Sequence, residues 1–342
     1  AHLFSSYTHR AFCDKFKKPK AEKNYPACGW ANTSFIPSKQ KMADKKDLDF
    51  TYTTIDKIFR LSIGETGDYS GAKYDGDFSM SLEQAQKAKH QFIADSLNIG
   101  EGSRVLDMAC GWGPFSRYII NERKAESIGL TLSEGQAEAC RANGLNVVVK
   151  DCRTVTPSDF GTFDAITCIG GLEHFCSVEE WQAGKQEKVY SDFFKTINDL
   201  LPKGGRFYMQ TMTFSKNMLP FDQIDVTADE NSAAYVLGLM VKQFPGSWLP
   251  YGPEMVVKNA APHFKLISKS SGRIDYIETI GQWRKKFRAF HFKKYLLYAS
   301  LIPKYLTSRE FRHQVAIFKV SPNRVCFERE IMDHYRLVFE KV

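Results

Sequence analysis

The fold of this chain is decided by the stretch Arg104-Val105-Leu106-Asp107-Met108-Ala109-Cys110-Gly111-Trp112-Gly113-Pro114-Phe115. A short apolar run ends at Asp107, a turn of small residues follows, and Pro114 begins a segment to residue 122 with the pattern of a helix. Strand, tight turn and helix in this order are typical of the first unit of an open α/β sheet, and the glycines let the backbone approach a ligand. The N-terminus of the helix offers unpaired N–H groups to such a ligand. The spacing is neither that of a dinucleotide-binding GxGxxG turn nor that of a P-loop, and a glycine-rich turn without a ligand is the plain alternative.

Further strands and helices alternate around this unit. The pattern predicts strands over 104–108, 127–130, 146–150, 163–169 and 206–213, and helices over 81–97, 114–122, from 133 onward and over 185–201. This alternation indicates an α/β fold with a mostly parallel, Rossmann-like sheet that binds ligands at the carboxyl ends of its strands. The continuous β-branched run at 146–150 is typical of a strand buried on both faces.

Composition narrows the class of protein. The 342 residues are 43% hydrophobic and 13% aromatic, which is typical of a globular protein with its own core. The net charge of +8 favours an anionic partner, either a membrane surface or an acidic substrate. No apolar run is long enough to span a membrane, and the first residues lack the pattern of a signal peptide. The eight cysteines show neither a CxxC pair nor zinc spacing, so we expect reduced thiols, no metal and a cytoplasmic protein.

Three regions follow one another along the chain. Residues 1–48 are basic and lack periodicity, which predicts a loosely ordered extension. Residues 49–100 contain an amphipathic helix ending near Gly64, a turn-rich loop over 67–72 and the capped helix at 81–97. Residues 101–342 form the main domain, with an insertion around 214–310.

Several motifs resemble those of S-adenosylmethionine-dependent methyltransferases. The sequence Asp107-Met108-Ala109-Cys110-Gly111-Trp112-Gly113 resembles their first motif. The sequence Leu130-Thr131-Leu132-Ser133-Glu134-Gly135-Gln136 resembles a signature of the cyclopropane-fatty-acid synthase family, which includes mycolic acid methyltransferases. Further matches follow in chain order at Tyr69-Ser70, Leu82-Glu83-Gln84-Ala85-Gln86, Glu173-His174, Leu201-Pro202-Lys203-Gly204-Gly205-Arg206, and between Asp275 and Phe287.

The resemblance covers about residues 60–342 and implies an enzyme with the class I methyltransferase fold. It implies that residues 49–100 form a helical lid over S-adenosylmethionine and that the segment around 214–310 covers the substrate. The residues implied to bind the cofactor are Tyr69, Ser70, Asp107, Ala109, Cys110, Gly111, Trp112, Gly113, Thr131, Leu132, Gln136, Asp151, Cys152 and Arg153.

The chain departs from the family pattern on the acceptor side. The family holds a bicarbonate ion with a cysteine and a histidine whose places are taken here by Gly71 and Gln210, so the site of that ion is incomplete. We predict Glu173, Tyr276 and Gln210 as the catalytic residues. Glu173 supplies negative charge, Tyr276 a hydroxyl or a ring face, and Gln210 a substitute ligand for the ion or a polar wall. A helix cap for Glu173 and a core position for Tyr276 are the plain alternatives.

The sequence supports methyl transfer to a carbon of an unsaturated lipid chain or another apolar olefin better than ring closure. An N- or O-methyltransferase of a small soluble acceptor and a catalytically silent lipid- or cofactor-binding relative are the alternatives. The acceptor, the product and the oligomeric state stay open. The resemblance implies that the stretch from Ile274 to Leu306 covers the acyl site. This stretch is rich in cations and aromatic residues, which suits peripheral contact with an anionic membrane. A solvated helix face is the alternative there, and nucleic acid is not expected.

Overall fold

The structure is a computed structural model, and it describes residues 58, 61–63, 67–244, 246–308, 311–312 and 321–342. The predicted extension over 1–48 and most of the predicted helix before Gly64 lie outside the described residues. The strands are β1 (Arg104–Asp107), β2 (Glu126–Thr131), β3 (Val147–Val149), β4 (Ala165–Ile169), β5 (Arg206–Phe214), β6 (Phe264–Ser271) and β7 (Met332–Lys341).

Helices follow most of the strands. They are α1 (Leu82–Ser96), α2 (Pro114–Arg123), α3 (Glu134–Ala142), α4 (Pro157–Phe160), α5 (Val178–Gln182), α6 (Gln186–Leu200), α7 (Ala233–Gln243), α8 (Gly252–Ala260), α9 (Arg273–Arg288), α10 (Phe292–Thr307) and α11 (Pro322–Glu328). The predicted strands and helices of the α/β core are confirmed, with ends that differ by one or two residues.

The strands form one seven-stranded sheet in the order β3-β2-β1-β4-β5-β7-β6. The pairs among β1 to β5 are parallel, whereas β7 runs antiparallel to both β5 and β6. The prediction of a mostly parallel Rossmann-like sheet is therefore confirmed. The sequence reading did not predict β6 or β7. The side chains of β6 are largely exposed, so that strand lacks the apolar run on which strand prediction depends.

The prediction that the third strand is buried on both faces is wrong. Only Val147 of β3 is buried, and Val148 and Val149 are partly exposed. The strand lies at the edge of the sheet, where it has a neighbouring strand, β2, on one side only.

Local sequence explains how the elements around the site begin. Ser81 and Gln84 form a capping box at the start of α1. Gly113 precedes α2 in the left-handed conformation and Pro114 occupies its first turn. Ser133 caps α3 by accepting a hydrogen bond from the N–H of Gln136. The caps at Gly113 and Ser133 come directly after β1 and β2, at the carboxyl ends of these two strands.

Apolar side chains cover both faces of the sheet. On one face, α6 and α8 pack against β4, β5 and β7 through aromatic residues that include Phe194, Phe207 and Phe339. On the other face, α1 and α2 pack against β1, β5 and β7 through Ile93, Phe115 and other residues. Among the described residues, no helix is both long and apolar enough to cross a bilayer.

One lysine of the basic stretch is not a surface charge. Lys294 is 1% exposed, and its ammonium group donates hydrogen bonds to the carbonyl oxygens of Phe287 and Ala289 at 2.6 and 2.7 Å. It thereby satisfies carbonyl groups at the C-terminal end of α9. The sequence analysis predicts that the cations of this stretch face an anionic surface. Because Lys294 is buried, it cannot contribute to that surface.

Candidate active site

The turn after β1 is held between the two neighbouring strands. The N–H of Met108 donates to the carbonyl of Thr167, and the N–H of Cys110 donates to that of Leu130. Asp107 is 1% exposed, and burial raises the pKa of its carboxyl group to about 7. Its Oδ1 has no hydrogen-bond partner in the described part of the chain. A buried carboxylate oxygen left in this state is a ready acceptor for a ligand group.

The two glycines of this turn, Gly111 and Gly113, have different surroundings. Both have left-handed backbones, with φ of 54° at Gly111 and 71° at Gly113. A Cβ at Gly113 would lie 2.4 Å from Cδ1 of Leu145 in the core, whereas a Cβ at Gly111 would have no atom within 4 Å. The space beside Gly111 is therefore open to a ligand. The side chain of Cys110 packs with Cys140 and Val147, so only the backbone of Cys110 is available to a ligand.

The ends of β2 and β3 add polar groups on the same edge of the sheet. The hydroxyl of Thr131 donates to Oε1 of Gln136 at 2.6 Å. Leu132 follows with 73% of its surface exposed, which is unusual for an apolar side chain beside a polar turn. Beyond β3, Asp151 accepts a hydrogen bond from the N–H of Arg153 and pairs with its guanidinium at 2.7 Å. The remaining predicted side chain here, that of Cys152, is buried in the core.

A buried ion pair fixes the loop over 67–72 to α1. The ammonium group of Lys89 lies 2.5 Å from Oδ2 of Asp68, and Nε2 of His90 lies 2.7 Å from the same oxygen. The N–H and the hydroxyl of Ser70 both donate to Oδ1 of Asp68. Burial raises the pKa of Asp68, but the charge of Lys89 and the bond to His90 outweigh it and hold that pKa well below its usual range. The ring of Tyr69 then lies 4.6 Å from that of Trp112 in the cofactor turn.

The sequence reading missed this network. Lys89 and His90 occupy the buried face of α1 together with Leu82, Ala85 and Ile93. A lysine at an apolar position of an amphipathic helix was the available signal, because a buried lysine needs an acidic partner.

Gln210 connects the same loop to the sheet. Its Nε2 donates to the carbonyl of Gly71 at 3.0 Å, and its Oε1 accepts from the hydroxyl of Tyr208 at 2.9 Å. The neighbouring strand repeats this arrangement, because Nη2 of Arg336 donates to the carbonyl of Ala72 at 2.7 Å. Both the nitrogen and the oxygen of the Gln210 side-chain amide therefore have hydrogen-bond partners within the protein. Its predicted role as a ligand of an ion stays a prediction.

Glu173 lies in a single helical turn over Leu172–His174, directly after β4. It is 3% exposed, and its Oε1 accepts a hydrogen bond from the N–H of Met212 at 2.7 Å. The last residue pair between β4 and β5 joins Ile169 to Gln210, so the carboxylate continues the edge of β5 where β4 has ended. Burial raises the pKa of Glu173 to about 7, and Oε2 has no partner among the described residues.

Tyr276 enters from α9. Its ring lies 6.0 Å from that of Trp283, 5.0 Å from that of Phe327 and 4.9 Å from that of His334. Burial and the negative charge of Glu173 raise the pKa of the Tyr276 hydroxyl. The ring of Tyr276 is therefore in contact with Trp283, Phe327 and His334, and its link to Glu173 is electrostatic only. His334 on β7 was not predicted from the sequence, because β7 itself was not.

Two small residues, Gly171 and Ala109, bring the turn after β4 into contact with the turn after β1. A Cβ at Gly171 would lie 3.1 Å from Cβ of Ala109 and 2.7 Å from Sγ of Cys168. Gly171 thus lets the turn after β4 pack directly on the turn after β1. This contact places the carboxylate of Glu173 on the edge of the sheet that carries Asp107. No cluster of metal-ligating side chains occurs within the ranges that the structure describes.

A seven-stranded sheet of this order, with a glycine-rich turn after β1, is the fold of the class I S-adenosylmethionine-dependent methyltransferases. The profile of the family described as mycolic acid cyclopropane synthetase matches residues 39–305, and the chain belongs to that family. The resemblance inferred from the motifs is thereby confirmed.

Individual relatives agree with this assignment. Cyclopropane mycolic acid synthase 3 of Mycobacterium tuberculosis is 29% identical over 245 residues, which cover 70% of this chain and 80% of that protein. Cyclopropane-fatty-acyl-phospholipid synthase of Escherichia coli is 26% identical over 213 residues, or 61% of this chain and 48% of that protein. The solved structure of the cyclopropane synthase MmaA2 from Mycobacterium tuberculosis matches with a TM-score of 0.68 and 23% identity, over 89% of this chain and 100% of that one. That of the mycolic acid cyclopropane synthase CmaA1, complexed with SAH and CTAB, has a TM-score of 0.67 at 24% identity and covers 85% and 95% of the two chains.

The residues after β1 and β2 fit S-adenosylmethionine. The open side of Gly111 leaves space for it, and the exposed Leu132 offers an apolar surface for an adenine ring. Oδ1 of Asp107 and Nε1 of Trp112 are a buried acceptor and a buried donor without partners in the described structure. The chain is an S-adenosylmethionine-dependent enzyme by its family, and these residues are compatible with that cofactor.

Proposed function

We propose that this enzyme transfers a methyl group from S-adenosylmethionine to a carbon of an unsaturated lipid chain. The observation that carries the proposal is the buried carboxylate of Glu173, whose Oε2 has no hydrogen-bond partner in the described structure. Burial, and after it the charge of Glu173, raise the pKa of the Tyr276 hydroxyl, which supports assigning both residues to the same side of the site. The names of the relatives support a lipid acceptor, since they specify mycolic acid and fatty-acyl-phospholipid.

The chemistry explains why such a carboxylate is useful. Bound S-adenosylmethionine supplies an electrophilic methyl group, and an olefin that accepts it becomes positively charged at the neighbouring carbon. Negative charge in a water-poor site stabilises that positive charge more strongly than it would in water. Because the charge exists only after the methyl group has moved, Glu173 stabilises the transition state more than the bound olefin. Its unpartnered Oε2 is the acceptor that we assign to the proton released afterwards.

The roles of the other residues follow from their positions. We assign cofactor binding to residues at the ends of β1 and β2, namely Asp107, Gly111, Trp112, Gly113, Thr131, Leu132 and Gln136. The predicted residues of the loop over 67–72, Tyr69 and Ser70, and of the turn after β3, Asp151, Cys152 and Arg153, belong to the same proposed site. We assign Tyr276 to the acceptor side, where its ring face contributes to cation stabilisation. Residues 49–100 are proposed as the lid over the cofactor, and the segment around 214–310 as the cover of the acceptor.

The test is incubation of the enzyme with methyl-labelled S-adenosylmethionine and either a total lipid extract or a pool of soluble metabolites, followed by mass spectrometry. We expect label in unsaturated lipids, on a carbon. Label in the soluble pool alone would replace the proposal by N- or O-methyl transfer, and label in neither would favour a silent relative.

A lipid acceptor also requires access to lipid, and α10 offers a surface for it. Eight large apolar side chains are exposed along and just before this helix: Phe290, Phe292, Tyr295, Leu296, Tyr298, Ile302, Tyr305 and Leu306. Lysines and arginines at the end of α9 and in α10 surround them, which matches an anionic bilayer surface. We propose that α10 lies on such a surface as a peripheral anchor.

Vesicle sedimentation tests this anchor. We expect binding to anionic vesicles that weakens steeply with salt and is lost in Phe292→Ser/Leu296→Ser. Ile267→Ser removes an apolar side chain that is 43% exposed on β6 and serves as the control. Vesicle binding that does not depend on salt concentration, or that falls equally in Phe292→Ser/Leu296→Ser and in Ile267→Ser, would contradict the proposed anchor.

A further inference from the structure

Gly71 is a glycine because two side chains occupy the space where a Cβ would stand. A Cβ there would lie 3.0 Å from Cγ of Tyr276 and 3.3 Å from Cε1 of His334. Its backbone is outside the left-handed region, so conformational freedom does not explain the residue. The reason is the close approach of one imidazole and one phenol ring.

A second glycine bounds the other edge of the same imidazole. A Cβ at Gly272 would lie 2.6 Å from Nδ1 of His334 and 2.9 Å from Cζ of Arg336. The N–H of Gly272 also donates to the carbonyl of His334 at 2.7 Å. The ring of His334 therefore occupies a slot between two glycines, with the ring of Tyr276 against it at 71°.

Stability alone does not account for this histidine. It is 2% exposed, and its Nδ1 has no hydrogen-bond partner in the described ranges. Burial lowers the pKa of His334 well below its usual value, and the charges of Arg336 and Lys89 lower it further, so the imidazole is neutral. A buried polar group without a partner costs free energy of folding, whereas a valine at this strand position would avoid that cost.

The position of His334 connects it to the acceptor side. It is the cross-strand neighbour of Met212, whose N–H donates to the Glu173 carboxylate. Its ring touches Tyr276, whose hydroxyl in turn experiences the charge of Glu173. The imidazole thus contacts the acceptor side through Tyr276.

We propose that His334 is a positioning residue that holds the ring of Tyr276 in place for methyl transfer, and that Gly71 and Gly272 are glycines in order to admit it. The inference rests on the proposed methyl transfer and assigns to that site a residue on β7. A misplacement of about 1 Å at a reacting group costs roughly a hundredfold in rate, which is the scale on which a displaced Tyr276 would act.

The first experiment compares His334→Val with Val338→Ala. Val338 is a buried residue of the same strand, four positions on, and serves as the control for a packing defect in β7. We expect His334→Val to melt no lower than the parent and to bind S-adenosylmethionine equally well, while its turnover falls about tenfold to a hundredfold. We expect Val338→Ala to melt lower with turnover unchanged. Unchanged turnover in His334→Val, or a loss that accompanies a lower melting point, would overturn the proposal.

The second experiment is a double-mutant cycle. Gly71→Ala places a methyl group against Tyr276 and His334, so we expect it to slow turnover by itself. We expect Gly71→Ala/His334→Val to be no slower than the slower single variant, because both changes act through the same ring. Losses that multiply would show independent effects and would overturn the inference.

Amide hydrogen exchange of α9 and of the loop over 67–72 in the presence of SAH requires no acceptor. We expect faster exchange in His334→Val than in Val338→Ala, and equal exchange would overturn the positioning role. A parent enzyme that labels no lipid would instead contradict the proposed function, and this exchange experiment would still decide the role of His334.

Discussion

The cofactor side and the acceptor side of this site are built in different ways. On the proposed cofactor side, each group lies at the end of its own strand or within a few residues of it, as Asp107 ends β1 and Thr131 ends β2. On the proposed acceptor side, residues 71, 276 and 334 come from a loop, a helix and a strand and lie against one another, and Glu173 is bonded to the N–H of Met212, the cross-strand neighbour of His334. The first arrangement depends on strand ends, and the second on side chains from elements that are distant in the sequence.

The contrast shows where this fold tolerates change. A strand end with a glycine turn depends on backbone geometry, so its sequence has little freedom. A group of side chains from distant elements can exchange partners as long as the space is filled. Gln210 and Gly71 illustrate this, because the side-chain amide of Gln210 donates a hydrogen bond to the carbonyl of Gly71 in the loop over 67–72.

The largest effect is expected at the buried ion pair of Asp68 and Lys89, which fixes the loop over 67–72 to α1. Lys89→Met leaves the Asp68 carboxylate buried without its ammonium partner, which should cost about 3–5 kcal/mol of the free energy of unfolding. Asp68→Asn/Lys89→Met removes both charges and should lose much less. Urea unfolding of the two variants measures this difference. Equal losses would show that the pair does not hold the loop to α1.

The next largest effect concerns the acceptor side alone. Glu173→Gln keeps the acceptor for the N–H of Met212 but removes the charge, so turnover should fall on the order of a hundredfold or more. The affinity for S-adenosylmethionine, measured by calorimetry, should stay unchanged. Added bicarbonate should alter the rate of the parent only weakly. Near-normal turnover in this variant would reduce Glu173 to a structural cap of the β5 edge.

Glu173→Gln should also change how the free energy of unfolding depends on pH. Because the pKa of Glu173 is raised from 4.5 to about 7, the folded parent binds more protons than the unfolded chain between these values. The contribution of this group to the free energy of unfolding is therefore fully present below about pH 4.5 and is lost as the pH rises through about 7. Glutamine does not titrate, so the stability of Glu173→Gln relative to the parent should rise from pH 5 to pH 8. A constant difference across this range would contradict the burial of an unpartnered carboxylate.

A smaller effect is expected on the cofactor side. Gly111→Val places a side chain in the open space of the turn, so the affinity for S-adenosylmethionine should fall about tenfold or more. Gly144→Val is the matched control, since Gly144 also has a left-handed backbone and open surroundings but lies beyond α3. Both variants should lose a similar free energy of unfolding, of about 1–2 kcal/mol. Equal cofactor affinity in the two variants would place the cofactor elsewhere.

The smallest effect is expected for Tyr276→Phe, which keeps the ring and removes the hydroxyl. We expect turnover to fall less than about tenfold, because the contacts of the ring with Trp283 and His334 persist. Tyr276→Ala should lose as much turnover as His334→Val. If Tyr276→Phe lost more turnover than His334→Val, the hydroxyl of Tyr276, and not its ring, would be the group that matters.

The same contrast explains how much the sequence could predict. The parallel core and the cofactor turn were predictable, because period, caps and glycine spacing are local signals. The meeting of Glu173 with Tyr276 came from the family resemblance and not from any spacing. The position of Lys89 on the apolar face of α1 was a signal in the sequence, but its partner Asp68 was not. The burial of Lys294 and the surroundings of His334 could not be predicted, because they depend on which distant carbonyl groups and glycines pack beside them. The edge position of β3 was mispredicted because three valines look alike at the centre and at the edge of a sheet.

The position of β7 has a consequence for the order of events during synthesis. This strand lies between β5 and β6, yet the ribosome makes it more than a hundred residues after β5. Until residue 341 has left the exit tunnel, β5 presents an unpaired edge that other chains can join. The cofactor side can assemble while translation continues, whereas the pocket for the acceptor must wait. A growing chain of this enzyme is therefore expected to acquire its ligand-binding turn first and to need protection at β5 until the last strand arrives.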